Sequence, residues 1–105
     1  MSAKVFNTTF YVERQLADRL LSWLRLTYIP EAISSGMITD VMLMRLSEPP
    51  DPSAEAFALH LRTHDSDSAK EWINNIGQSL IGHLAAEVGQ ERLLHFTTPM
   101  EEIEI

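Results

Sequence analysis

The apolar residues of this chain switch between the two-residue period of a strand and the longer period of a helix, and the order of the switches limits the folds open to it. Residues 4–12 alternate, with Phe6, Thr8, Phe10 and Val12 on one face and Val5, Asn7, Thr9 and Tyr11 on the other. The first set is the more apolar and is the expected core face. A helical stripe follows through Leu16, Leu20, Trp23, Leu24 and Thr27, with Leu21 and Tyr28 at its border. Pro30 has no N–H to give and crowds the preceding turn, so a kink or break is expected near Ile29, with Gly36 closing the segment in a left-handed conformation.

Residues 37–46 read as a second strand, apolar on both faces from Val41 onward, which predicts burial on both sides. Pro49, Pro50 and Pro52 stop it and mark a loop over residues 47–53. A third strand at 55–64 sets Phe57, Leu59, Leu61 and Thr63 against Ala56, Ala58, His60, Arg62 and His64. Ser68 and Glu71 fit a capping box at the start of a second helix, whose stripe holds Trp72, Ile73, Ile76, Leu80, Leu84 and Val88 and which Gly89 ends. Gly77 and Gly82 within it are expected to allow close packing on the sheet. Residues 92–100 form the last strand, with Leu94, Phe96, Thr98 and Met100 opposite Leu93, His95, Thr97 and Pro99.

The order β-α-β-β-α-β is that of an α+β, ferredoxin-like plait. Right-handed crossovers place both helices on one face of an antiparallel sheet of order 4-1-3-2. At 105 residues the chain is expected to be one domain, residues 1–105.

Charge and composition narrow the function. The net charge is −7, and the eight Lys and Arg residues are scattered, which argues against a nucleic-acid surface and an anionic membrane. Without cysteine there are no disulfides, thiolate metal sites or thiol nucleophiles. No apolar run approaches the roughly 20 residues that span a bilayer. No signal-peptide pattern opens the chain, so a cytoplasmic location is expected. No Gly-rich phosphate loop, G-x-S-x-G or H-E-x-x-H is present.

A plait leaves one sheet face bare, and a function has to sit there. The expected bare face holds Asn7, Thr9, Tyr11, Ala58, His60, Arg62, His95 and Thr97, with either Val41 and Leu43 or Met42 and Met44 from the second strand. A monomer seldom leaves such a face in water, so pairing with a second copy is expected, enclosing a partly polar cavity. The candidate ligand-binding residues are Asn7, Thr9, Tyr11, His60, Arg62 and His95. A His beside Asn or Tyr is suited to proton transfer near neutral pH. The pair His60 and His64 lies about 13 Å apart at ~3.3 Å per strand residue, too far for one metal ion with bonds near 2 Å. No metal and no cofactor is expected.

Three blocks carry a resemblance: Asn7-Thr8-Thr9-Phe10-Tyr11-Val12-Glu13; Trp23 followed by Tyr28-Ile29-Pro30-Glu31-Ala32 and Ser35-Gly36; and Phe96-Thr97-Thr98-Pro99-Met100-Glu101-Glu102. Together they resemble a family of short bacterial proteins of unknown function, ferredoxin-like and related to the dimeric α+β barrels, over nearly the whole chain. Members often carry His where this chain has Tyr28, and an aromatic-Gly-Asp turn where it has Val88-Gly89-Gln90. The resemblance implies a fold and no established activity. The expected function is a homodimeric barrel-like module that binds a small ligand or a protein partner. The alternative is a cofactor-independent enzyme of monooxygenase or isomerase type, with its site on the open sheet face.

Overall fold

Strand β1 (Lys4–Glu13) carries aromatic and β-branched side chains on both faces and takes an inner place in the sheet. In the computed structural model, which describes residues 4–49 and 51–105, it pairs antiparallel with β3 (Ala54–Thr63) on one side and β4 (Leu93–Glu101) on the other. Strand β2 (Asp40–Arg45) pairs with the outer edge of β3. The sheet order is β2-β3-β1-β4, the expected 4-1-3-2 read from the other edge. Residues 1–3 and Pro50, which belongs to the expected proline loop, lie outside the described residues.

Two helical rods cover one sheet face. The first runs through α1 (Ala17–Trp23), a π-helical turn (Leu24–Tyr28) and α2 (Ile29–Ser34). The expected break near Ile29 does not occur. Ile29 N–H reaches back five residues to the Leu24 carbonyl, and Pro30 falls in the first turn of α2, where a missing N–H is tolerated. Gly36 ends the segment with φ 78°, as expected.

The second rod repeats the design: α3 (Ser66–Trp72), a π turn (Ile73–Gly77) and α4 (Gln78–Val88). Its N-cap is Asp65, which accepts from Ser68 N–H at 3.1 Å and from Ser68 Oγ at 2.9 Å, so the helix starts before the anticipated Ser68–Glu71 box. Gly89, φ 104°, stops it.

The π turns reset which side chains face inward. A π turn takes more residues than an α turn, and the inward series becomes Leu20, Leu24, Tyr28 and Ala32 on the first rod and Ile73, Gly77, Ile81 and Ala85 on the second. Tyr28, expected at the border, is fully buried. Ile76, expected in the core stripe, is 49% exposed. These rods close over Phe6, Phe10, Val12, Phe57, Leu59 and Leu61 from the inner strands. Burying each such side chain contributes ~1.5–3 kcal/mol, so the sheet and both rods hold together as one core.

Strand β2 corrects a second expectation. It is an edge strand with Val41 and Leu43 half-buried under the rods and Met42 and Met44 exposed. Among the described residues, none covers Met42 or Met44 on its other face. No helix among the described residues is long and apolar enough to cross a membrane.

Candidate functional site

The pleat and the register decide what the bare face presents. Phe10 is paired with Phe57 on β3 and with His95 on β4, and Thr8 with Leu59 and Thr97. His95 and Thr97 therefore lie on the rod-covered face, beside Phe10 and Thr8, and the expectation that they share the bare face is corrected. The Thr8 and Thr97 hydroxyls are 2.8 Å apart, and the His95 ring lies 6.4 Å from the Phe10 ring. Partial burial pushes the His95 pKa below its ordinary 6.5, and its buried Nδ1 has no hydrogen-bond partner.

The other five candidates do share the bare face. Asn7 stands between His60 on β3 and Thr98 on β4 as register partners. Its Nδ2 donates to Thr9 Oγ1 at 3.0 Å, while its Oδ1 is buried with no partner. His60 is half-buried, with Met42 as its neighbour across β2. A cleft of only about 30 Å³ opens there among Asp40, Met42, His60 and Arg62. Arg62 donates from Nη1 to Glu102, and that carboxylate raises the guanidinium's pKa further still. Tyr11 sits toward the far end of the strand with its ring 6.0 Å from Phe96. Beside it a cleft of about 380 Å³ is lined by Tyr11, Leu94, Asp51, Ser53 and Arg92. Within that lining Arg92 donates from Nε to both carboxylate oxygens of Glu13, each at 2.9 Å.

The register also brings in residues that the sequence pattern had assigned to the core. Leu94, Phe96 and Met100 face away from the rods and are 58%, 51% and 38% exposed. Met42 and Met44 join them from the opposite edge. The bare face is thus a polar centre of Asn7, Thr9, His60 and Arg62 between two apolar margins. Strand β4 gave no signal of this, because Leu93 and Leu94 are equally apolar and only pairing with β1 selects the face.

His64 lies just past the end of β3 and is exposed. Among the described residues no group of three or more His, Asp or Glu is placed to hold a metal ion.

On the rod side, a groove of about 490 Å³ separates the end of α2 from α3 and the second π turn. Its lining includes Glu31, Met37, Glu71, Trp72 and Ile76. Trp72 of this lining also meets Tyr28, whose ring lies 5.7 Å away in an edge-on contact and 5.4 Å from the Trp23 ring. The Tyr28 hydroxyl has no partner, and burial pushes its pKa up to about 12.

Solved structures share this fold at low sequence identity. A dimeric ferredoxin-like protein from an uncultured marine organism aligns with a TM-score of 0.61 at 10% identity, over 100% of this chain and 99% of its own. The NE2512 protein of unknown function from Nitrosomonas europaea aligns with a TM-score of 0.66 at 16% identity, over 100% of this chain and 93% of its own. A protein from Bacillus cereus described as a candidate antibiotic biosynthesis monooxygenase aligns with a TM-score of 0.54 at 14% identity, over 100% and 99%. At these identities the likeness is one of fold. No curated protein matches the chain in sequence. One family does match, over residues 3–103, and on that match the chain belongs to DUF4286, a domain of unknown function.

Proposed function

We propose that this chain is a homodimeric binding module whose two bare sheet faces close on each other around a small ligand. One observation carries the reading. Met42, Met44, Leu94, Phe96 and Met100 are exposed together on the sheet face away from the rods, at its two margins. Strands of 10, 6, 10 and 9 residues, at ~3.3 Å per residue and ~4.8 Å apart, give a face on the order of 550 Å², about two-thirds of the ~800 Å² that a standard interface buries on each partner. A relative of the same fold is described as dimeric.

With the apolar margins pressed together, the polar centre is shut away from water. His60, half-buried beside Asn7, is then the polar group that a ligand hydroxyl or amine meets. Thr9, Tyr11 and Arg62 complete the lining on each copy. The ligand that fits is small and mainly apolar, with one hydroxyl or amine.

Light scattering on the gel-filtration peak tests the pairing. The native chain is expected to run as a dimer, and Phe96→Glu as a folded monomer. A native monomer at micromolar concentration, or a dimeric Phe96→Glu, sinks the reading. His60→Ala is expected to keep the dimer and weaken ligand retention in native mass spectrometry.

A second reading, that the same cavity performs cofactor-independent oxidation or isomerisation with His60 moving the proton, is favoured by the fold shared with the Bacillus cereus protein. Release of a chemically altered small molecule, absent in His60→Ala, would select it.

A further inference from the structure

We infer that residues 102–105, the tail that follows β4, cross to the second copy and lay Ile103 and Ile105 beside the partner's Met42. This rests on the pairing proposed above and names the segment that completes it.

The bare face alone falls short of what a stable pair buries. It offers on the order of 550 Å², which leaves about 250 Å² per copy to be found against the ~800 Å² of a standard interface. The tail continues the alternation of β4, with Glu101, Ile103 and Ile105 against Met100, Glu102 and Glu104. Ile103 is 78% exposed, and Ile105 is fully exposed. Fully burying an isoleucine takes roughly 60–120 Å² of apolar surface out of water. The two therefore supply about half to nearly all of the shortfall.

The ion pair at the root of the tail aims it. Glu102 accepts from Arg62 Nη1, and Arg62 stands on β3, with β1 between it and β4. The contact draws the tail over the bare face, away from the rods. Val5, the register partner of both Arg62 and Met100 on that face, is only 9% exposed. Four extended residues reach ~13 Å, and stacked sheets lie ~10 Å apart, so the tail spans the gap between copies.

Charge selects where it lands. Stacked sheets keep their strands within about 30° of each other, which leaves two ways to pair about a two-fold axis. With the axis across the strands, the tail meets the far end of the partner's sheet, where Glu13, Asp51 and Glu91 outnumber Arg92. With the axis along the strands, β4 lies over the partner's β2, and the tail meets the end that holds Lys4 and Arg62 against Asp40. Glu102 and Glu104 favour the second arrangement. Near that end of β2 stands Met42, 53% exposed.

The chain has no cysteine, so a pair of introduced thiols reports the contact. Ile103→Cys/Met42→Cys is expected to form a covalent dimer on mild oxidation, seen on a non-reducing gel. Neither single variant is expected to do so. Ile103→Cys/Leu94→Cys, which reports the other arrangement, is expected to stay monomeric on the same gel. In sedimentation equilibrium, Ile103→Asn/Ile105→Asn is expected to weaken the dimer roughly tenfold or more, with an unchanged far-ultraviolet circular dichroism spectrum. A cross-link through Leu94, none between copies through Met42, or an unweakened dimer in the double Asn variant overturns the inference while the native dimer stands. A native chain that is itself monomeric removes the pairing and the inference together.

Discussion

His95 differs from the histidines exposed to water because its ring is packed beside Phe10 on the rod-covered face, with Nδ1 buried and unpartnered. Its folded pKa lies below the ordinary 6.5, so between those two values the unfolded chain binds more protons than the folded one. Stability is fully present above pH 6.5 and falls as the pH is lowered through that value toward the depressed one. Thermal melts at pH 7.5 and 5.5 are expected to show this fall in the native chain and a smaller one in His95→Gln. An equal fall in both would remove His95 as its source. The sequence placed His95 on the other face, and the reason is local. Both alternating sets of residues 93–100 contain apolar and polar members, whereas in β1 the contrast of Phe6, Phe10 and Val12 with Asn7 and Thr9 declares the core side. A strand whose two faces are chemically alike takes its orientation from its neighbour, and that neighbour is some 85 residues away in the chain (Phe10 opposite His95).

At the scale of elements, the order and approximate limits of strands and helices were legible because each segment obeys one period. What could not be read was the pair of π turns, since no residue type marks them, and each shifts the inward stripe that follows. That is why Ile76 emerged into solvent and Tyr28 went in. The two glycines of the second rod now separate cleanly. A Cβ at Gly77 would sit 3.0 Å from the Tyr28 hydroxyl and 3.3 Å from the Trp72 ring, against the first rod and not the sheet as expected. A Cβ at Gly82 would meet nothing within 4 Å. Gly82→Ala is expected to stabilise the protein by ~0.5–1 kcal/mol through helix propensity and reduced unfolded-state freedom. Gly77→Ala is expected to destabilise it by about 1–3 kcal/mol through overpacking. Urea denaturation measures both. Tyr28→Phe removes the clashing, unpartnered hydroxyl and is expected to recover much of the Gly77→Ala loss, a coupling that a double-mutant cycle would expose. Additive effects would mean that the two positions do not touch.

For the whole molecule, the plait itself follows from the element order, and the bare face follows from the plait. The chemistry of that face was only half legible. Asn7, Thr9, Tyr11, His60 and Arg62 were readable from β1 and β3, but the apolar margin of Leu94, Phe96 and Met100 was hidden by the ambiguity of β4. With that margin in place, the face is more apolar than the sequence indicated. If folding and pairing are linked, the melting temperature of the native chain will rise with protein concentration, while that of Phe96→Glu will not. A concentration-independent melt in both would mean that the subunit holds its fold without a partner.

The meeting of Tyr28 with Gly77 reaches beyond this one sequence. The two residues stand at matching places, the last of each π turn, and the space one occupies is the space the other gives up. Substitution at one should therefore leave a trace at the other among related chains. Where position 28 holds a shorter side chain, position 77 is free to carry a methyl group or more, and where the phenol is kept, glycine is expected to persist.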